Sequence, residues 1–275
     1  KNMSDKRELP IGIFDSGMGG LTVLKAIASL LPAENLLYLG DTARLPYGTK
    51  GRDTIVRYTL LAAGKLVEIG VKMLVVACNT ATSAALPVLQ KEFAPIPVLG
   101  VIGPGARAAC QASKNGHIAV IATQATVQGG AYQHAIDAIN PGAKVTARAC
   151  TLLVSLAEEG WTEGPIARAV LARYLDDIFH DPDAPDTLLL GCTHFPLFLN
   201  SLREVVGEET RIVDSASATA EDVAKRLDEL GILRAGGETG KRDFLTTDNP
   251  ERFTRVGGHF LGVAMNRNQA RLVDL

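Results

Sequence analysis

The 275-residue sequence is short of several features that mark whole functional classes. It holds four cysteines, Cys78, Cys110, Cys150 and Cys192, too few and too scattered for the disulfide framework of a secreted domain. No Cys-x-x-Cys pair and no His-rich segment accompanies them, so no metal site is expected. No apolar run approaches the ~20 residues of a membrane-crossing helix. The charged start, Lys1 to Pro10, lacks the apolar stretch of a secretory leader, and Lys1 and Asn2, ahead of Met3, read as added residues. Lys and Arg number 28 against 30 Asp and Glu, without basic clusters beyond pairs such as Lys241-Arg242. A net charge of -2 leaves no electrostatic footprint for nucleic acid. Together these shortages describe a cytoplasmic globular protein with neither a nucleic-acid nor a membrane partner.

What the sequence does have is one stretch written twice. Met73-Leu74-Val75-Val76-Ala77-Cys78-Asn79-Thr80 and Thr187-Leu188-Leu189-Leu190-Gly191-Cys192-Thr193-His194 are each an apolar run of strand length ending on a cysteine and then on hydrogen-bonding residues. A continuous apolar run of that length predicts a strand buried on both faces of a parallel sheet. Ligands of open α/β sheets bind just past the carboxyl ends of such strands. Asp15, at the end of the strand-like Pro10-Ile11-Gly12-Ile13-Phe14, lies 63 residues before Cys78; Thr123, ending His117 to Ala122, lies 69 before Cys192. Such an interval, kept twice, is what an internal duplication of a βα-rich unit leaves.

The intervening segments alternate strand and helix. Leu21 to Leu31 and Arg52 to Glu68 carry helical spacing, Asn35 to Gly40 is a strand, and Gly70 closes the second helix. The first cysteine strand is followed by a helix to about Phe93 and a strand at Val98 to Ile102, after which Gly103-Pro104-Gly105 opens another helix. Thr126 to Asn140 predicts one helix, Lys144 to Ala149 a strand, and Glu163 to Phe179 a long amphipathic helix. The last sixty residues, with a helix at Ser217 to Leu230 and a strand at Arg242 to Thr247, are too few for a core of their own and should pack on one half. The expected fold is therefore α/β, in two pseudo-symmetric halves with mostly parallel sheets. Residues 1–100 plus 214–275 form the half of Asp15 and Cys78, and residues 101–213 the half of Cys192.

Cys110 and Cys150 sit in small-residue apolar settings and read as buried hydrophobes. Cys78 and Cys192 precede helix-capping residues, which places each sulfur at the positive end of a helix and should lower its pKa. The glycine-rich turn Ser16-Gly17-Met18-Gly19-Gly20 can bring backbone N–H groups to an anion, its glycines serving conformation rather than chemistry. It fits neither a dinucleotide fingerprint nor a P-loop. Two thiols facing one cleft suit reversible disulfide exchange, or proton transfer at a carbon from opposite faces by a coupled base and acid.

The segments Phe14 to Gly20, Gly40 to Gly48, Ala77-Cys78-Asn79-Thr80-Ala81, Gly191-Cys192-Thr193-His194-Phe195-Pro196 and Thr247 to Phe253 resemble, in order, the signature segments of bacterial glutamate racemase, of the Asp/Glu racemase family. The resemblance implies a cofactor-independent enzyme that interconverts L- and D-glutamate and supplies D-glutamate for peptidoglycan. It also implies a cleft between two α/β domains and a homodimer. Cys78 and Cys192 match the proton-transfer cysteines, the first dealing with the D- and the second with the L-enantiomer. Asp15 matches an acid assisting the first thiol; His194 and Glu158 match groups assisting the second. Asp15, Ser16, Tyr47, Gly48, Asn79, Thr80, Thr193 and His194 match the substrate-binding pairs. Arg44 is the one cation within the four segments that carry these residues, so neutral donors and helix N-termini should hold the substrate's carboxylates. Ser155 and Ala122 depart from the family pattern, which bears on Glu158. The competing readings are an aspartate racemase, a thiol redox protein with a Cys78–Cys192 disulfide, and a binding module for acidic amino acids.

Overall fold

The computed structural model describes residues 3 to 275; Lys1 and Asn2 lie outside the described residues. The first half runs α1 (Met3–Glu8), β1 (Ile11–Asp15), α2 (Leu21–Leu30), β2 (Leu36–Gly40), α3 (Arg52–Ile69), β3 (Met73–Val76), α4 (Asn79–Glu92) and β4 (Val98–Gly100). The second runs α5 (Ile102–Ala112), β5 (His117–Ala122), α6 (Gln124–Gly129), α7 (Ala131–Ile139), β6 (Lys144–Ala149), α8 (Leu152–Glu158), α9 (Gly164–Phe179), β7 (Thr187–Gly191), α10 (Leu199–Val206) and β8 (Arg211–Asp214). The chain ends with α11 (Ala216–Glu229), β9 (Arg242–Thr246), α12 (Pro250–Leu261) and β10 (Ala270–Leu272).

The strands form two sheets, ordered β10-β9-β2-β1-β3-β4 and β6-β5-β7-β8, with every pairing parallel. The four strands β2-β1-β3-β4 and the four strands β6-β5-β7-β8 have the same order, so the duplication in sequence spacing is a duplication of topology. β1 and β5, carrying Asp15 and leading to Thr123, are equivalent, as are the two strands that lead to the cysteines.

The apolar runs divide between the two faces of the first sheet because side chains alternate along a strand. Ile11, Ile13, Leu36, Tyr38, Met73 and Val75 fill one layer, and Phe14, Leu37, Leu39, Leu74 and Val76 the other. The first of these layers runs on without a break into the second sheet through Ile121, Leu188, Leu190 and Phe195. One core face thus spans both halves and fixes the two strand ends against each other.

Local chemistry moves some predicted boundaries. The strand at Val98 stops at Gly100, and α5 starts at Ile102 rather than at Gly103, because Pro104 sits in a first turn, where its missing N–H costs nothing. The single helix predicted over 126–140 is two, broken at Gly130, whose φ of 67° is left-handed. β9 and β10 join the first sheet, while α11 packs on α2 and also touches α5. Among the described residues no helix is long and apolar enough to cross a membrane.

Candidate active site

Cys78 stands two residues past β3 and caps α4. Its backbone is extended (φ -72°, ψ 121°) and its sulfur accepts the N–H of Ala81 at 3.4 Å. Cys192 directly follows β7, but no α-helix receives it. Thr193 and His194 lead into a 3-10 turn at Phe195–Phe198, tied back by the Phe195 N–H to the Cys192 carbonyl at 3.1 Å. The predicted helix N-terminus therefore exists at one thiol only.

Both sulfurs line one cavity of about 70 Å³, together with Ser16, Tyr47, Gly48, Asn79 and Thr80 from the first half and Thr193 and His194 from the second. A wider depression, of about 630 Å³, opens between α2, α11 and α12 around Lys25, Leu197, Glu221 and His259; it holds neither thiol. Asp15 and Glu158 do not line the cavity. Asp15 is fully buried behind the glycine turn, and Glu158 stands behind His194.

The donors of the glycine turn are already engaged. Asp15 Oδ2 accepts the N–H groups of Gly17 and Gly20 at 3.1 and 2.9 Å, so the anion this turn receives is the protein's own carboxylate. Its Oδ1 is buried without a partner among the described residues. None of Gly17, Gly19 and Gly20 has a positive φ, which corrects the conformational reading of them. Gly19 and Gly20 are required by close approach: a Cβ on Gly19 would come within 2.6 Å of His194 Nδ1, and one on Gly20 within 2.8 Å of the Asp15 carboxyl carbon. Arg44 is likewise spent, paired with buried Asp41 at 2.8 Å, and the Tyr47 hydroxyl donates to the same carboxylate.

The electrostatics of the two thiols differ. Burial, reinforced by the Asp15 charge, pushes the Cys78 thiol up to about 12, outweighing the Ala81 N–H; the lowering expected at a helix N-terminus does not win here. Burial also raises Asp15, against the opposing pull of His194 and of the Gly20 and Gly17 N–H groups. Beside Cys192 the balance reverses. Burial alone would lower His194, but Cys192 and Glu158 together lift it to about 10. The ring's Nδ1 lies 3.9 Å from the Cys192 sulfur and its Nε2 3.2 Å from Glu158 Oε1, so at neutral pH an imidazolium stands between sulfur and carboxylate. Burial opposes ionisation of Glu158, yet His194 and Arg252 hold its carboxyl below the usual range. Neighbouring Glu159 is exposed. Among the described residues, no group of three His, Cys, Asp or Glu side chains could hold a metal ion.

The family described as Asp/Glu/hydantoin racemase matches residues 11–223 of this sequence. The chain belongs to the Asp/Glu/hydantoin racemase family. It is an isomerase. A glutamate racemase from Geobacter metallireducens is 49% identical over 252 residues, covering 92% of each chain. The crystal structure of a glutamate racemase isoform from Bacillus anthracis superposes with a TM-score of 0.91 at 36% identity, over 98% of each chain. That of a glutamate racemase from Francisella tularensis in complex with D-glutamate does so with a TM-score of 0.89 at 35% identity, over 98% of each.

Several racemase-cleft residues were not singled out from sequence. Thr123 lines the cavity, and its hydroxyl lies 2.7 Å from that of Thr80 and 3.1 Å from that of Thr126, a hydroxyl cluster joining the halves. Its equivalence to Asp15 by spacing was the available signal. Tyr132, from α7, donates its hydroxyl to the Asn79 side-chain carbonyl across the same boundary. Tyr38 lies under Asp15, its hydroxyl donating to the Gly17 carbonyl at 2.8 Å. Arg252 reaches Glu158 Oε2 at 3.1 Å from α12, and no local sequence signal pairs residues so far apart.

Proposed function

We propose that this racemase interconverts L- and D-glutamate without a cofactor, by proton transfer between the substrate Cα and the two sulfurs of Cys78 and Cys192. The observation that carries the reading is the pair of thiols, delivered by equivalent strands of two sheets to one cavity. With L-glutamate, the Cys192 thiolate takes the Cα proton, the electron pair passes to the carbanion, and the Cys78 thiol gives its proton to the opposite face. The reverse sequence converts the D-enantiomer. A buried, protonated Cys78 and a cationic His194 beside Cys192 suit the starting state for L-glutamate. Asp15, buried behind the glycine turn, supports the Cys78 side through the action of its charge on that thiol. Ser16, Tyr47, Gly48, Asn79, Thr80, Thr193 and His194 are the cavity groups proposed to hold the two carboxylates. Glutamate, rather than aspartate, is supported by the names of the relatives that match over almost the whole chain.

The wider setting proposed, which the same likeness supports, is a cytoplasmic homodimer whose D-glutamate supplies peptidoglycan synthesis. The halves proposed to close on substrate are residues 1–100 with 214–275 and residues 101–213. The placement of β9 and β10 in the first sheet supports that division.

The test is incubation of reduced protein with L-glutamate or L-aspartate in D2O, without added cofactor, following optical rotation and deuterium at Cα. Rotation should decay to zero with glutamate and not with aspartate. Absence of both racemisation and exchange with glutamate refutes the reading. Formation of a Cys78–Cys192 disulfide without turnover would favour the redox alternative.

A further inference from the structure

Glu158 occupies an unfavourable place for a carboxylate. It is the last residue of α8, where the helix dipole presents its negative end and repels an anion. Its side chain lies at the edge of the buried region, 12% exposed, so a swing outward would carry it into water. Yet one of its oxygens is held on His194, and the other on Arg252 Nη2 at 3.1 Å.

Arg252 comes from α12, which belongs with the first half. The helix packs on α2, and its Phe253 stacks among Tyr38 and Phe244 of the first sheet. Asn249 caps it by accepting the Arg252 N–H at 3.1 Å, which fixes where the arginine leaves the backbone. The same helix sets Phe260 edge-on against the His194 ring, at 5.0 Å between centroids. Cys192, His194 and Glu158 all belong to the second half. One helix of the opposite half thus grips both the imidazole and its carboxylate.

We propose that Arg252 is a positioning residue of the racemase. Through Glu158 it holds His194 beside Cys192, and it makes that alignment depend on the closeness of the two halves. The proposal rests on the racemase reading of the cleft. Arg252 touches neither thiol nor the cavity, so it acts only by keeping Glu158 from leaving. The titratable groups facing His194 are Cys192, Glu158 and, across the turn, Asp15.

The position of Glu158 gives the experiment a sign. Removing the Arg252 cation with Glu158 left in place would raise the His194 titration, since one positive neighbour disappears. Removing it so that Glu158 swings away lowers that titration, since the ring loses its anion. Imidazole-labelled protein is titrated by NMR as the wild type, Arg252→Gln, Arg252→Lys and Arg255→Gln, the last altering an exposed arginine on the same helix. In Arg252→Gln the His194 midpoint should fall by about one unit or more from its value near 10. Its kcat for glutamate should fall ~10-fold with KM nearly unchanged, as expected when part of an acid–base alignment is lost. Arg252→Lys should recover most of both, and Arg255→Gln should match the wild type. A midpoint that stays or rises in Arg252→Gln, or a kcat equal to wild type, overturns the proposal. If the wild type racemises nothing, the functional reading fails while the titration still decides the role of Arg252.

Discussion

His194 stands 3.9 Å from the sulfur of Cys192, and this contact, backed by Glu158, keeps a fully buried imidazole charged. An unfolded histidine titrates near 6.5 and the folded one near 10. A group whose folded pKa is raised contributes stability in full below the unfolded value and loses it as pH rises through the folded one. The gap in melting temperature between wild type and His194→Asn should therefore be widest below pH 6.5 and shrink toward pH 10. Both proteins keep Cys78, so ionisation of that thiol in the unfolded chain cancels in the difference. Melting curves at half-unit steps of pH measure it. A gap that widens with pH would contradict a charged His194.

Asp15 should separate chemistry from folding. Asparagine can still accept the N–H groups of Gly17 and Gly20, whereas alanine leaves two buried donors unpaired at about 1–3 kcal/mol each. Asp15→Asn is expected to fold with near-normal stability and to lose kcat by ~10²-fold, since a neutral amide no longer acts on the Cys78 thiol as the carboxylate does. Asp15→Ala should lose several kcal/mol by denaturant titration as well. Equal stability of the two variants would mean that the turn does not depend on this carboxylate.

These contrasts mark where the sequence was legible. Met73 to Val76 and Thr187 to Gly191 announce themselves because a strand buried on both faces must be apolar throughout, and the residue after such a strand in a parallel sheet faces the ligand edge. The equal strand orders follow from the repeated spacing of Asp15 to Cys78 and Thr123 to Cys192. What local pattern could not reveal is how donors and charges are spent. The glycine turn looks free to bind an anion until Asp15 folds back onto it, and Arg44 looks free until Asp41 takes it. The Cys78 pKa turns on burial, which a helix-cap signature does not report. Arg252 meets Glu158 only because α12 lies across the cleft.

A second ionic contact lies far from the chemistry and should matter to stability alone. Lys72 and Glu34 pair at 2.6 Å with both side chains almost wholly buried, and Glu34 Oε2 has no other partner among the described residues. The ammonium also donates to the carbonyls of Arg7 and Ile232, at 2.8 and 2.9 Å, tying the start of the chain and the segment after α11 to β3. Removing one member of such a pair strands the other charge, at a cost of about 3–5 kcal/mol. Lys72→Met should lose that much in urea titration, and the double change Lys72→Met with Glu34→Gln should regain part of it. Turnover per folded molecule should match the wild type at a temperature where both are folded. A Lys72→Met protein as stable as the parent would show that the pair contributes nothing net.

Gly19 tests whether the halves must close to atomic contact. It lies on the turn of the first half, and the groups that a Cβ there would strike, Thr193 Oγ1 and the His194 ring, belong to the second. At 2.6 Å from Nδ1 the added carbon cannot be accommodated without movement. The ring cannot easily yield, being fixed by Glu158 on one edge and by Phe260 against its face. The turn or the whole half must then retreat, drawing Asp15 and Cys78 away from Cys192. A displacement of about 1 Å between reacting groups costs ~10²-fold in rate. Gly19→Ala is expected to lose kcat on that scale while remaining folded. Gly51→Ala, where the new methyl meets nothing within 4 Å, should retain wild-type turnover. Full activity in Gly19→Ala would mean that the halves work at a wider separation, and that the two sulfurs need not be held as closely as this contact requires.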